Sequence, residues 1–337
     1  MKSNEKVIGS IIKFSAMMLC ILTCDEVLAD HGGLGFGIGT ASPVITQGGI
    51  TLPKGVIAGG VTTQFIDFKT ASAPQLLNEA AAHGDVHTTN TYLSPSVFAA
   101  FGLTDNLTLG MRVPYVLRSG VKSPNEEGDA VNAMGSANGF GDVSLFSQYR
   151  FFHSDDNLNH ASVTVGLKTD TGQTGVKNSL GEKFEAHFQP GSGSWNPSTG
   201  VSFTRAMGAF SFDTNVLYNF ATTGTQQTNL GSVFDYNIAA SYAFGAPVRT
   251  GLFVDSNNAP WTAILELNGQ LQNMQKVAGV ADPNEGGNTI YLSPGVRFSG
   301  AKNWNTALSV GAPVVTDLNG YQTDPAYRIT FRFVAVF

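Results

Sequence analysis

Apolar and polar residues alternate one by one along most of this chain, in segments of about ten residues separated by turn-forming residues. In "LTLGMRVPYVL" the set Leu107, Leu109, Met111, Val113, Tyr115 and Leu117 opposes Thr108, Gly110 and Arg112. In "WTAILELNGQLQ" Trp261, Ala263, Leu265, Leu267 and Leu271 oppose Thr262, Glu266, Asn268, Gln270 and Gln272. "YRITFRFVAVF" sets Tyr327, Ile329, Phe331, Phe333, Ala335 and Phe337 against Arg328, Thr330, Arg332, Val334 and Val336. A period of two is what a β-strand needs when its faces meet different surroundings. Read throughout, it predicts strands at residues 56–68, 90–103, 107–118, 140–152, 160–170, 195–206, 209–221, 232–244, 260–273, 288–299, 304–314 and 325–337, about twelve in all.

The connections carry a second pattern. Thr104 to Asn106, His153 to Asn159, Ala206 to Ala209 and Gly300 to Asn303 are short, whereas 69–89, 119–139 and 171–194 are long. Short and long connections in alternation suit an up-and-down barrel with periplasmic turns at one end and external loops at the other. Gly245 to Ala259 departs from this, being long where a short turn is expected.

Composition decides which solvent the apolar face meets. Only 13% of residues are charged, with 39 Gly and 23 Phe. A soluble β-sandwich would spend more charge on its exposed face. Aromatics cluster at strand ends: Tyr92, Trp195, Tyr218, Phe220, Phe244, Trp261, Tyr291, Trp304, Tyr327 and Phe337. Such rings match the girdles that a membrane barrel places at the headgroup levels. The expected fold class is therefore all-β: a transmembrane antiparallel up-and-down β-barrel of about 12 strands, preceded by a cleavable signal peptide. Residues 1–29 read as the leader, with Lys2, Lys6 and Lys13 before the apolar "FSAMMLCILTC" and cleavage after Ala29. Residues 30–55 form a Gly-rich lead or luminal plug, and 56–337 the barrel.

Cys20 and Cys24 both lie in the leader, so the mature chain holds no disulfide or thiolate ligand. "ILTC" resembles a lipoprotein processing site, with Thr23 poorly suited to the position before Cys24. Net charge is −6, and losing the leader leaves it there. No basic stripe exists for nucleic acid. The expected partners are outer-membrane lipid, small hydrophobic solutes and the outer-membrane assembly machinery, reached through the C-terminal strand.

If the alternation holds, Arg112, Arg118, Asp142, Gln148, Arg150, Lys168, Asp170, Asp213, Asn215, Asp235, Glu266, Asn268, Arg297, Arg328 and Arg332 point inward. They either pair with one another and fill the barrel or line a selective path. In "HGDVH", His83, Asp85 and His87 form a trio that could bind metal, but with no helix or Cys partner it reads as a solvated loop, and no metal or other cofactor is assigned. "QPGSGSW" (Gln189 to Trp195) has no Lys and leads into a strand, which argues for a shaped turn anchored by Trp195 and against a phosphate loop. No His among the six sits beside a Ser or Asp pair on a strand, leaving a barrel lipase or protease as the alternative to a channel.

The segments "HTTNTYLSPSVFAAFGLTDNLTLGMRVPYVLRSGV", "GFGDVSLFSQYRFF", "VGLKTDTGQTG" and "FQPGSGSWNPSTGVSFTR" resemble the family named for the MetA pathway of phenol degradation. The resemblance covers most of the mature chain, and "QPGSGSW" is its most specific element. It implies an outer-membrane transporter that passes hydrophobic or aromatic compounds, and it supplies no catalytic residues.

Overall fold

A computed structural model describes residues 42–84, 86–245, 261–301 and 303–337. Residues 1–41, which include the expected leader and the start of the Gly-rich lead, together with Asp85, 246–260 and Lys302, lie outside the described residues.

Twelve strand positions close into one antiparallel ring. β1 (Ile57–Phe68), β2 (Thr91–Thr104) and β3 (Leu107–Pro124) are followed by β4 (Val131–Phe140) and β5 (Ser144–His153), which share one position in the wall. The ring continues with β6 (Asn159–Lys168), β7 (Asn196–Met207) and β8 (Phe210–Asn219). A two-residue β9 (Thr228–Asn229) in an outer loop precedes β10 (Val233–Ala243) and β11 (Trp261–Gln272). Beyond a second loop sheet, β12 (Lys276–Val277) with β13 (Val280–Ala281), come β14 (Gly287–Ala301), β15 (Trp304–Leu318) and β16 (Pro325–Val336). β1 pairs on one side with β2 and on the other with β16, from Ala58 opposite Val336 to Phe68 opposite Pro325, and this seam closes the ring.

Two loop expectations are corrected. Residues 119–139 are not an open loop but the continuation of β3 into a hairpin with β4, paired from Tyr115 opposite Phe140 to Pro124 opposite Val131. The wall strand read at 140–152 therefore starts near Val131 and breaks at Gly141–Val143. Within 69–89 sits α1 (Ala73–His83), capped by Ser72 and Gln75 in a reciprocal box with Pro in its first turn.

Burial is inverted relative to a soluble protein. Among the described residues, buried polar and charged side chains outnumber buried hydrophobic ones about two to one. In β11, Thr262, Glu266 and Asn268 are buried while Leu265 and Leu267 are exposed. Outside, rings pack in two runs along the short-turn end, Phe210–Tyr242–Phe244 at β8 and β10 and Trp261–Phe298–Trp304–Phe333 from β11 to β16, with centroids 4.7 to 5.9 Å apart. A second set, including Phe65–Tyr327, Tyr115–Phe140 and Tyr218–Phe234, marks the long-loop end. Tyr92 and Tyr291 do not belong to these girdles; both are buried, where Tyr92 faces Arg118 and Tyr291 lies under Arg328. Outer-membrane barrels keep short turns at the periplasm, so the long loops face outside.

Because Leu265 sits mid-strand on the lipid face, Leu265→Arg is expected to destabilise the folded barrel by about 2–4 kcal/mol, and Leu265→Ala by much less. Urea unfolding in phospholipid bilayers measures the difference.

Candidate functional site

The lumen is occupied from the short-turn end by residues 42–52, which lie inside the ring, while 53–56 turn at its rim, where Lys54 and Gly55 are exposed. Val44, Ile45, Thr46, Gln47, Thr51 and Leu52 are all buried. This segment forms no ladder with the wall, so its peptide groups must find side chains instead. Glu266 accepts from the Ile45 N–H (3.0 Å) and the Thr46 N–H (2.8 Å). Asn215 Oδ1 accepts from the Gln47 N–H at 2.9 Å, Thr204 Oγ1 from the Gly49 N–H at 2.8 Å, and Thr108 Oγ1 from the Leu52 N–H at 2.8 Å. In the other direction, Gln148 donates to the Gly48 carbonyl, Ser162 to that of Gly49, Arg297 to that of Ser42 and Arg332 to that of Pro43. The segment runs so close to the wall that a Cβ on Gly49 would stand 2.6 Å from the His160 carbonyl oxygen. Val334 and Val336, apolar on the inward face of β16, pack with Leu52, Ala58 and Ala100 in one buried cluster.

The long-loop end is covered by the β6–β7 loop, folded inward. Asp142, at the break between β4 and β5, holds it: Oδ1 accepts from the Gly172 N–H (2.8 Å), and Oδ2 accepts from both the N–H (2.8 Å) and the hydroxyl (2.6 Å) of Ser192. Lys168 Nζ stands 3.7 Å from the same carboxylate. Gln189 clamps the loop from within, accepting from the Val176 N–H and donating to the carbonyls of Val176 and Phe184. Gly191 and Gly172 touch backbone to backbone, and a Cβ on Gly191 would come within 2.5 Å of Gly172. The "QPGSGSW" element therefore supplies the lid's contact surface on Asp142 and Gly172, and its Trp195 is half exposed just before β7.

Under this lid, lined by its Gln189, Pro190, Gly191 and Ser192, lies a luminal cavity of about 200 Å³. Arg112, Lys168, Asp142 and Asp235 line it together with Tyr92, Val116, Leu217 and Phe220.

The inward-facing candidates divide among these parts. Glu266, Arg297 and Arg332 grip the lead, as do Gln148 and Asn215. Asp213 accepts from Thr204 Oγ1 (2.5 Å) beside the lead. Arg328 reaches Asn268 Oδ1 (2.8 Å) and Ser293 (3.2 Å) with its guanidinium 4.0 Å above the Tyr291 ring, tying β16 to β14 and β11. Arg118 is buried at the outer end between Tyr92 and Phe188. Arg150 is only partly buried and closes onto the short turn through Asn106 (2.8 Å). Asp170 does not point inward; it is exposed where the β6–β7 loop begins.

The histidine trio is not one site. His83 pairs with Glu79 at 3.5 Å on α1, whereas His87 is mostly buried, not solvated, and stacks on His187 at 4.5 Å.

The sequence profile of the family described as "Putative MetA-pathway of phenol degradation" matches residues 55–333. The chain belongs to this family. The MetA-pathway match begins at Gly55, so it spans the barrel and leaves the lead outside it. A crystal structure of an outer membrane channel from Pseudomonas putida F1 superposes with a TM-score of 0.59 at 16% identity, covering 86% of this chain and 98% of that one. That likeness is one of fold. The toluene transporter TbuX from Ralstonia pickettii aligns over 91% of this chain and 96% of its own at 12% identity, with a TM-score of 0.41, too low to weigh. No curated protein sequence matches the chain. This MetA-pathway protein is a closed twelve-strand barrel of the bacterial outer membrane.

Removing the lid's anchor should free the lid. Asp142→Ala is expected to raise amide exchange at Gly172 and Ser192 at least about tenfold, since each loses a charge-assisted bond. Exchange in β11 should stay unchanged in the same experiment.

Proposed function

We propose that the protein is a passive channel for small hydrophobic or aromatic molecules carrying a polar group, with residues 42–52 as its plug and the β6–β7 loop as its lid. The luminal cavity carries this reading. At about 200 Å³ it is comparable to cavities of about 150 Å³ that hold a benzene molecule, which sets the scale at a single ring. Its lining mixes Val116, Leu217 and Phe220 with two cations and two carboxylates, a surface for a ring bearing a hydroxyl or similar handle. Family membership points to the same solute class.

Among the described residues, the luminal carboxylates Asp142, Asp213, Asp235 and Glu266 each accept hydrogen bonds that hold the lid, wall or lead. That favours conduction over a barrel hydrolase. The aromatic outward face of β16, from Tyr327 to Phe337, is suited to delivery through the outer-membrane assembly machinery.

In proteoliposomes, uptake of phenol above the protein-free rate is expected to exceed that of a hexose; equal rates, or none for either, would overturn the reading. Glu266→Ala, which removes the acceptor for Ile45 and Thr46, should raise single-channel conductance severalfold by loosening the plug. An unchanged conductance would show that residues 42–52 do not limit passage.

A further inference from the structure

Away from the lumen, three outer loops bring two histidines and two glutamates together. His87 lies in the β1–β2 loop, Glu185 and His187 in the β6–β7 loop, and Glu285 just before β14. His87 Nε2 and His187 Nδ1 each lie 3.8 Å from Glu285 Oε1, and His187 Nδ1 lies 3.5 Å from Glu185 Oε2. One donor atom from each of His87, Glu185 and His187 falls within 4.8 Å of the other two. We propose that these four side chains form a binding site for a divalent first-row transition cation of the Zn²⁺ class, which would staple the three outer loops together.

Ligands about 2.0–2.2 Å from Zn²⁺ stand about 3.4 Å apart. The 3.5 and 3.8 Å contacts are close to that, whereas the His87, Glu185 and His187 donors as a set span up to 4.8 Å, so binding must draw the side chains together and turn the stacked imidazoles toward a common point. The site is also built. Phe188 packs on both imidazoles, with centroids 4.5 Å from His87 and 4.0 Å from His187. The turn presenting Glu185 and His187 is closed by the Phe188 N–H on the Glu185 carbonyl and the Gln189 N–H on that of Ala186. Asn319 donates to the Glu285 carbonyl at 3.0 Å.

Two carboxylates outweigh the single cation of Arg118, and two imidazoles select against Mg²⁺ and Ca²⁺, which take oxygen ligands.

The test is calorimetric titration of chelator-stripped, detergent-folded protein with Zn²⁺, a readout independent of transport. One equivalent is expected to bind and to resist excess Mg²⁺. His187→Ala should weaken binding at least about 100-fold and Glu185→Gln at least about tenfold, while His83→Ala binds as the parent does. Glu185 is half exposed, so Glu185→Gln decides the matter if His187→Ala does not fold. Absence of stoichiometric binding, equal competition by Mg²⁺, or undiminished binding in Glu185→Gln would overturn the site.

Discussion

In hydrocarbon no water is present to accept or donate, so each peptide group that crosses the bilayer must be bonded within the protein. The seam between β1 and β16 meets that demand by leaving the ring without an edge. Everything else follows from closure. Once the ring is shut, each strand has one face in lipid and one face inside, and the period of two sorts residues between them. The outward set becomes aliphatic with aromatic rims, and the inward set becomes a densely hydrogen-bonded polar interior.

That interior is then solvent for anything that enters it. The lead at 42–52 has no strand partner, and the wall supplies acceptors and donors in place of a ladder: Glu266, Asn215, Thr204, Thr108, Gln148, Arg297 and Arg332. The lid uses the same device at the other end through Asp142 and Gln189. Charges inside such a barrel are costly unless partnered, and here they are spent mainly on backbone. The cavity lies under the lid, against the charged wall that anchors it.

The barrel was legible because alternation and turn chemistry are local properties of the sequence. The inward charges were legible for the same reason, since parity alone places Glu266 opposite Leu265. What parity cannot tell is what a side chain meets across the lumen, and that is why Glu266 and Asn215 could be assigned to a face but not to the lead. Val334 and Val336 were a missed sign, because apolar residues on an inward face announce that something apolar, here Leu52, lies against them. In the loops, Ser72, the following Pro and Gln75 spelled out the start of α1. The 119–139 hairpin was harder to see, since "VKSPNEEGDAVNAMGSANG" alternates weakly and has little apolar content to mark a lipid face. His87 and His187 lie a hundred residues apart in sequence, beyond the reach of any spacing rule.

The grip on the lead has one uneven property: the wall contributes side chains, whereas the lead contributes mainly main-chain amides and carbonyls. Exchange of Ile45 or Thr46 for another residue leaves the bonded atoms in place, while exchange of Glu266 deletes an acceptor outright. Drift over generations should therefore be lopsided, loose in the threaded segment wherever a larger residue fits, and tight on the barrel staves that hold it. Only where the stopper itself touches the staves, at Gly49, Gln47 and Leu52, is its own identity held as firmly.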